Sequence, residues 1–275
     1  MPFLDRDGWR LWFEVLNESA PGIPRVFVNG SGSAIDEVRP LLPRFSGGRP
    51  LAVFDHRGTG RSETPIDSSD MSDYADDVTM LLRRLEWTSA DVIGVSFGGM
   101  VAQELACRSS GRIRRLVLAC TSAGGVGGSS YPLHELSDLD EETRRRVLPR
   151  LQDTRFDDEW LRTHEGPVER LVGNAGRPPN TVGSRMQMDA RRRHDVWDRL
   201  GGVTVPTFVA SGAFDGIAPP DNGRRIAGRV PGATFREYQG GHLFFLQDPA
   251  FFVDLQTFLA DDDRNDSDTD RRETS

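Results

Sequence analysis

Val92-Ile93-Gly94-Val95-Ser96-Phe97-Gly98-Gly99 is the stretch that decides how this chain is read. A compact apolar run beginning at Ala90 stops at a serine with glycine two residues to either side. Met100 to Cys107 then carries apolar positions at helical spacing. The pattern is strand, tight turn, helix. A corner residue in such a turn takes a strained backbone conformation, and the residues two before and two after it come so close that only small side chains fit. The turn pushes the Ser96 hydroxyl out of the sheet top. It also aims the Phe97 backbone N–H, at the start of the helix, toward the place where an oxyanion would form. Ser96 is therefore the candidate nucleophile and Phe97 a candidate oxyanion donor; the plainer alternative is a glycine-rich turn with a bystander serine.

Outward from that corner the chain alternates strands and helices. Strands are predicted at Arg10–Val15, Arg25–Val28, Leu51–Phe54, Ile113–Ala119, Val205–Gly212 and Thr234–Tyr238. Helices are predicted at Ala34–Phe45, Ser72–Glu86, Pro220–Gly228 and Phe251–Leu259, the second with Val78, Leu81, Leu82 and Leu85 on one face. Gly124 to Ser130 reads as a linker, and from about Leu133 to Leu200 the pattern is helical and charged, at Asp140–Leu151, Asp157–His164 and Val182–Trp197. The expected organisation is a core of 1–122 and 201–260, a helical lid of 123–200 over the carboxyl ends of the strands, and a disordered acidic tail of 261–275.

Composition sets the outer limits. A chain of 275 residues can bury a sizeable core. Its net charge is −8, its basic residues are all arginine, and the tail from 261 to 275 holds seven acids against three arginines. The rest is only mildly acidic, which argues against nucleic-acid or anionic-membrane surfaces. Cys107 and Cys120 both lie in apolar runs and read as buried free thiols. The N-terminus is charged where a signal peptide would be apolar, and no apolar run approaches a membrane span, so a cytoplasmic protein is expected. No metal-ligand spacing or phosphate-binding loop is present, and neither metal nor cofactor is expected.

A serine hydroxyl needs a base, and the base needs a group that sets its tautomer and stabilises its cation. His134, His164 and His194 belong to the helical insertion. His56 sits beside Asp55 in the turn Asp55-His56-Arg57-Gly58-Thr59-Gly60-Arg61-Ser62, where a structural role is expected. His242 alone follows the last strand, in a Gly-Gly-His loop of the kind from which open α/β sheets build their sites. Asp215 lies just beyond the strand Thr207–Ser211, whereas the strand ending at Cys120 offers no carboxylate. The chain order is then Ser96, Asp215, His242. The glycine loop Asn29-Gly30-Ser31-Gly32-Ser33 is expected to supply a second oxyanion donor, the Ser31 backbone N–H.

Asn29-Gly30-Ser31-Gly32-Ser33, the Asp55–Ser62 turn, Gly94-Val95-Ser96-Phe97-Gly98-Gly99, Ser211-Gly212-Ala213-Phe214-Asp215 and Gly241-His242 together resemble the alpha/beta-hydrolase superfamily over about residues 3 to 260. Within it the chain is similar to small capped serine hydrolases, among them 3-oxoadipate enol-lactone hydrolases, haloperoxidase-like esterases and meta-cleavage-product hydrolases. The resemblance implies an α/β fold: a mostly parallel central sheet flanked by helices, with a helical lid inserted between strands 6 and 7, after Ile113–Ala119 and before Val205–Gly212. It implies a cofactor-independent hydrolase that cleaves a small-molecule carboxylic ester or lactone through an acyl-enzyme, as monomer or homodimer. Asn29 stands where many members have His, and Leu243 follows His242 where the carbon–carbon hydrolases usually carry Trp.

Two other functions compete: carbon–carbon bond hydrolysis on the same triad, and a ligand-binding sensor on a hydrolase fold. Arg191-Arg192-Arg193-His194-Asp195 in the insertion also has two readings. Either an arginine reaches down to clamp a substrate carboxylate, or the run is a solvated helix face paired with nearby aspartates.

Overall fold

The computed structural model describes residues 2–6, 8–163 and 182–260. The tail 261–275 and the stretch 164–181, including His164, lie outside the described residues. Eight strands form one sheet in the order β1-β2-β4-β3-β5-β6-β7-β8. β1 (Phe3–Arg6) and β2 (Trp9–Leu16) pair antiparallel, as do β2 and β4 (Leu51–Phe54). β3 (Arg25–Val28), β5 (Ala90–Val95), β6 (Ile113–Ala119), β7 (Thr207–Gly212) and β8 (Thr234–Tyr238) continue the sheet in parallel from β4. Every residue of β3, β4, β5 and β7 is buried, the reason these strands read as unbroken apolar runs: helices cover both faces of a parallel sheet.

On one face pack α3 (Met71–Arg84), α4 (Phe97–Ser109) and α8 (Pro220–Arg229). α3 starts where Asp70 accepts from the amides of Ser72 and Asp73, and Asp73 returns a carboxylate to the Asp70 N–H. Its predicted apolar face is buried at Val78, Leu81 and Leu82. The other face is aromatic, with Phe45 from α2 (Leu42–Ser46) and Phe251 and Phe252 from α9 (Ala250–Ala260) in edge contacts.

The structure departs from the sequence reading in four places. β1 lies in the charged N-terminus, where Leu4 is buried and Arg6 Nε meets Asp77 at 3.0 Å. The helix expected over Ala34–Phe45 is α1 (Ile35–Val38), a 3-10 turn and then α2, because Pro40 and Pro43 withdraw amide donors. Gly124 to Ser130 is no linker: a Cβ at Gly124 would lie 1.9 Å from the His194 carbonyl oxygen, and one at Gly128 2.2 Å from the Asn222 side chain. Finally, α7 (Val182–Arg192) stops short of Trp197, because Asp195 bridges to Gly124 and the Val196 N–H donates to the Ala123 carbonyl.

The described part of the insertion between β6 and β7 carries α5 (Glu141–Gln152) and α6 (Asp158–Thr163) ahead of α7. It is bound to the carboxyl-end loops of the sheet by backbone hydrogen bonds: Gly216 N–H to the Leu151 carbonyl, Thr154 N–H to Phe214, and Tyr131 N–H to Ile217. Among the described residues no helix is long and apolar enough to cross a membrane.

The corner at Ser96 depends on close backbone approach. A Cβ on Gly98 would stand 2.0 Å from the Val28 carbonyl oxygen, and one on Gly94 2.4 Å from the Gly98 carbonyl oxygen. Gly98→Ala is therefore expected to cost about 3 kcal/mol in urea unfolding, because backbone must shift to admit the methyl. Gly111→Ala, facing open space, serves as control at within about 0.5 kcal/mol. Equal stability of the two variants would contradict the packing described.

Candidate active site

Ser96 sits at φ 55° and ψ −115°, between β5 and the first residue of α4, with its N–H bonded to the Ala119 carbonyl of β6. An L-residue held at positive φ is strained. Here the surrounding sheet and the glycine contacts hold it there. Thr121 Oγ1 donates to the Ser96 carbonyl at 2.8 Å, fixing the corner from the β6 side.

The structure brings the three residues picked from the sequence together. Ser96 Oγ lies 3.0 Å from His242 Nε2, and His242 Nδ1 lies 2.8 Å from Asp215 Oδ2. The carboxylate only accepts, so Nδ1 carries the proton and Nε2 is left to receive one from the serine. Asp215 is buried, and its other oxygen accepts the N–H groups of Ile217 and Ala218, both at 2.8 Å. The backbone of His242 is held by the insertion, its N–H donating to the Gln152 carbonyl at 2.6 Å.

Beside Ser96 lies the glycine loop. A Cβ on Gly30 would be 3.7 Å from Ser96 Cβ, so the loop rests against the nucleophile corner. Asn29 shapes it from within: its Oδ1 accepts the Gly30 N–H at 2.9 Å and its Nδ2 donates to the Ser33 carbonyl at 3.0 Å. This amide thus ties the loop at both ends. The N–H groups of Ser31 and Phe97 have no hydrogen-bond acceptor among the described residues. Gln187 of α7 accepts the Gly32 N–H at 2.8 Å. The sequence reading missed Gln187, Gln152 and Thr121, whose roles arise from long-range contacts and leave no local signal.

His56 and Asp55 are structural. His56 is wholly buried, its ring edge-on to Phe54, Tyr74 and Phe97 and its Nε2 3.0 Å from the Asn29 carbonyl. Asp55 accepts the N–H groups of Ile35 and Arg61. In the same turn Arg57 makes a double hydrogen bond to the buried Asp77 of α3. His134 lines a cavity with Arg191 and His194 rather than joining the Ser96–His242–Asp215 chain. Of the three consecutive arginines, Arg192 and Arg193 are exposed, with Arg192 near Asp189 and Arg193 on the Ser69 carbonyl, while Arg191 is buried.

Burial lowers the His56 imidazole from 6.5 to about 4. The unfolded chain then binds a proton that the folded chain does not as pH falls from about 6.5 towards 4, so this stabilisation is present above 6.5 and is lost below it. Between pH 7.5 and pH 5, His56 is expected to account for a loss of about 2 kcal/mol in unfolding free energy. His56→Asn should flatten the pH dependence of urea unfolding by that amount; an unchanged slope would contradict the assignment.

Comparison with known proteins agrees with this architecture. A family profile described as the alpha/beta hydrolase fold matches residues 24–163. A poly(3-hydroxyalkanoate) depolymerase of Ectopseudomonas oleovorans is 29% identical over 227 residues, covering 81% of this chain and 79% of that protein. A 2-hydroxymuconate semialdehyde hydrolase of Pseudomonas sp. strain CF600 is 36% identical over 124 residues, 44% of this chain and 42% of that protein. The crystal structure of a hydrolase from Pseudomonas aeruginosa PA01 superposes with a TM-score of 0.76 at 27% identity, over 94% of this chain and 97% of that one. With its mostly parallel eight-stranded sheet and a profile match across half its length, the chain belongs to the alpha/beta-hydrolase family.

Proposed function

We propose that the chain is a serine hydrolase that cleaves a small carboxylic ester or lactone through an acyl-enzyme. The observation that carries this reading is the chain of hydrogen bonds Ser96–His242–Asp215 beside two N–H groups with no acceptor among the described residues. In the first half-reaction Ser96 Oγ bonds to the substrate carbonyl carbon while its proton passes to His242 Nε2. The carbonyl oxygen becomes an oxyanion, and the N–H groups of Ser31 and Phe97 receive its charge. Collapse of this intermediate expels the alkoxide, which takes the proton from His242. Water then gives a proton to His242 and attacks the acyl carbon; Ser96 leaves as the hydroxyl and the acid is released.

Asp215 holds the imidazole in the tautomer this sequence needs and stabilises its cation. Residues 123–200 act as a lid in this proposal, since the Gln152 carbonyl holds the His242 loop and the Gln187 side chain holds the glycine loop. The depolymerase relative points to ester bonds, because a poly(3-hydroxyalkanoate) is linked by esters. The muconate semialdehyde hydrolase relative keeps carbon–carbon cleavage as a second reading, against which stands Leu243 in place of the expected Trp.

The test is pre-steady-state hydrolysis of 4-nitrophenyl acetate, butanoate and octanoate. The expected result is a nitrophenol burst equal to the enzyme concentration, absent in Ser96→Ala, with turnover lowered by about 10⁴-fold or more. Turnover that survives Ser96→Ala would refute the acyl-enzyme. Cleavage of a ring-fission dienoate in preference to every ester would favour the second reading.

A further inference from the structure

The inward face of α7 is unusual for a buried helix. Residues 187 and 191 lie one helical turn apart on one face of α7, a position where apolar residues are normal, and residue 194 follows just past the helix end. Here they are Gln187, Arg191 and His194, with relative exposures of 0%, 9% and 6%. Gln187 spends its oxygen on the glycine loop, and its Nε2 has no partner among the described residues. Arg191 Nη2 is buried with no hydrogen bond, and the described residues offer its side chain no ion pair. Neither ring nitrogen of His194 has a hydrogen-bond partner among the described residues that meets normal geometry, although the Ser122 backbone lies close to the ring.

Arg191 and His194 line a cavity of about 170 Å³ walled also by Met100, Ser122, His134 and Met188. The cavity adjoins the nucleophile corner: the Met100 N–H donates to the Ser96 carbonyl at 3.3 Å, and Ser122 follows Thr121, whose hydroxyl holds that same carbonyl.

Other buried arginines of the core have partners. Arg57 has Asp77, Arg25 has the Phe45 carbonyl and Gln256, and Arg115 lies over the Phe258 ring. Burial acts on Arg191 with only the attraction of Asp215 against it, which brings its guanidinium down to about 10. It remains charged at neutral pH, and Asp215 is already engaged by His242 and two amides. A buried cation left in this state is costly unless an anion joins it. The neutral imidazole of His194, lowered to about 4 by burial, can add one N–H donor.

We propose that this cavity is the anion subsite of the active centre, in which Arg191 binds a carboxylate carried by the ester substrate, with His194 as a further donor. This rests on the ester-hydrolase reading and narrows it to anionic esters of compact size. Since Gln187 touches the glycine loop and Arg191 lies one helical turn on, roughly 6 Å along the axis, a short carbon chain spans the two places.

The test compares kcat/KM for two matched pairs. One carries the charge on the acyl side, mono-4-nitrophenyl glutarate against 4-nitrophenyl pentanoate. The other carries it on the leaving group, 4-carboxyphenyl butanoate against phenyl butanoate. The expected result is a preference of tenfold or more for the anion in at least one pair, by rough scale of a charge-assisted contact. In Arg191→Met that preference should be lost, a fall of tenfold or more relative to the neutral partner, mainly through KM, and Arg191→Lys should restore part of it. No preference in either pair, or a preference that survives Arg191→Met, overturns the proposal. Titration of glutarate into Ser96→Ala and into Ser96→Ala/Arg191→Met gives a readout independent of turnover: saturable binding lost with Arg191 supports the subsite. Glutarate binding that is absent, unchanged by Arg191→Met or matched by inorganic phosphate overturns it. Failure of the ester reading itself would appear separately, as no burst from the neutral esters.

Discussion

The contact between β5 and α4 governs the rest of the structure. Gly94, Gly98 and Gly99 let the helix start directly against the sheet, where any side chain would strike the Gly98 backbone, the Val28 carbonyl or the Thr121 side chain. That approach holds Ser96 at positive φ and turns its hydroxyl toward His242. The strain is local, but its support is distributed: β6 takes the Ser96 N–H through Ala119 and the Ser96 carbonyl through Thr121. Loosening any of these would move the oxygen by a fraction of an ångström, enough to spoil a reaction that depends on alignment.

Around that corner the fold builds two rims. One is the turn after β4, where Asp55 gathers the start of α1 and the Arg61 backbone, and Arg57 joins Asp77 across to α3. His56 in the same turn holds the Asn29 carbonyl, so the glycine loop is set from below by an aromatic cage and from within by its own asparagine. The other rim is the insertion, which binds the His242 backbone through Gln152 and the glycine loop through Gln187. Both rims brace the loops around the corner rather than the reacting atoms themselves.

Much of this was legible in the sequence because the decisive features are short-range. Strand, serine corner and helix are contiguous, buried parallel strands read as apolar runs, and Asp215 and His242 each follow a recognisable strand. Less legible were elements whose state depends on distant partners. β1 looks like a charged leader until Asp77 accepts Arg6, and Gly124 to Ser130 looks flexible until His194 and Asn222 close on its glycines. Arg191 hides in a run of three arginines; only its spacing from Gln187 and His194 separates it from exposed Arg192 and Arg193.

The central claim is that the strained corner makes Ser96 the nucleophile, with His242 as its base. The most direct measurement is intact-mass and peptide analysis after reaction with a fluorophosphonate. The account predicts one covalent adduct per chain, located on Ser96, and a strongly slowed reaction in His242→Ala. An adduct on another residue, or labelling of Ser96 at an unchanged rate in His242→Ala, would contradict it.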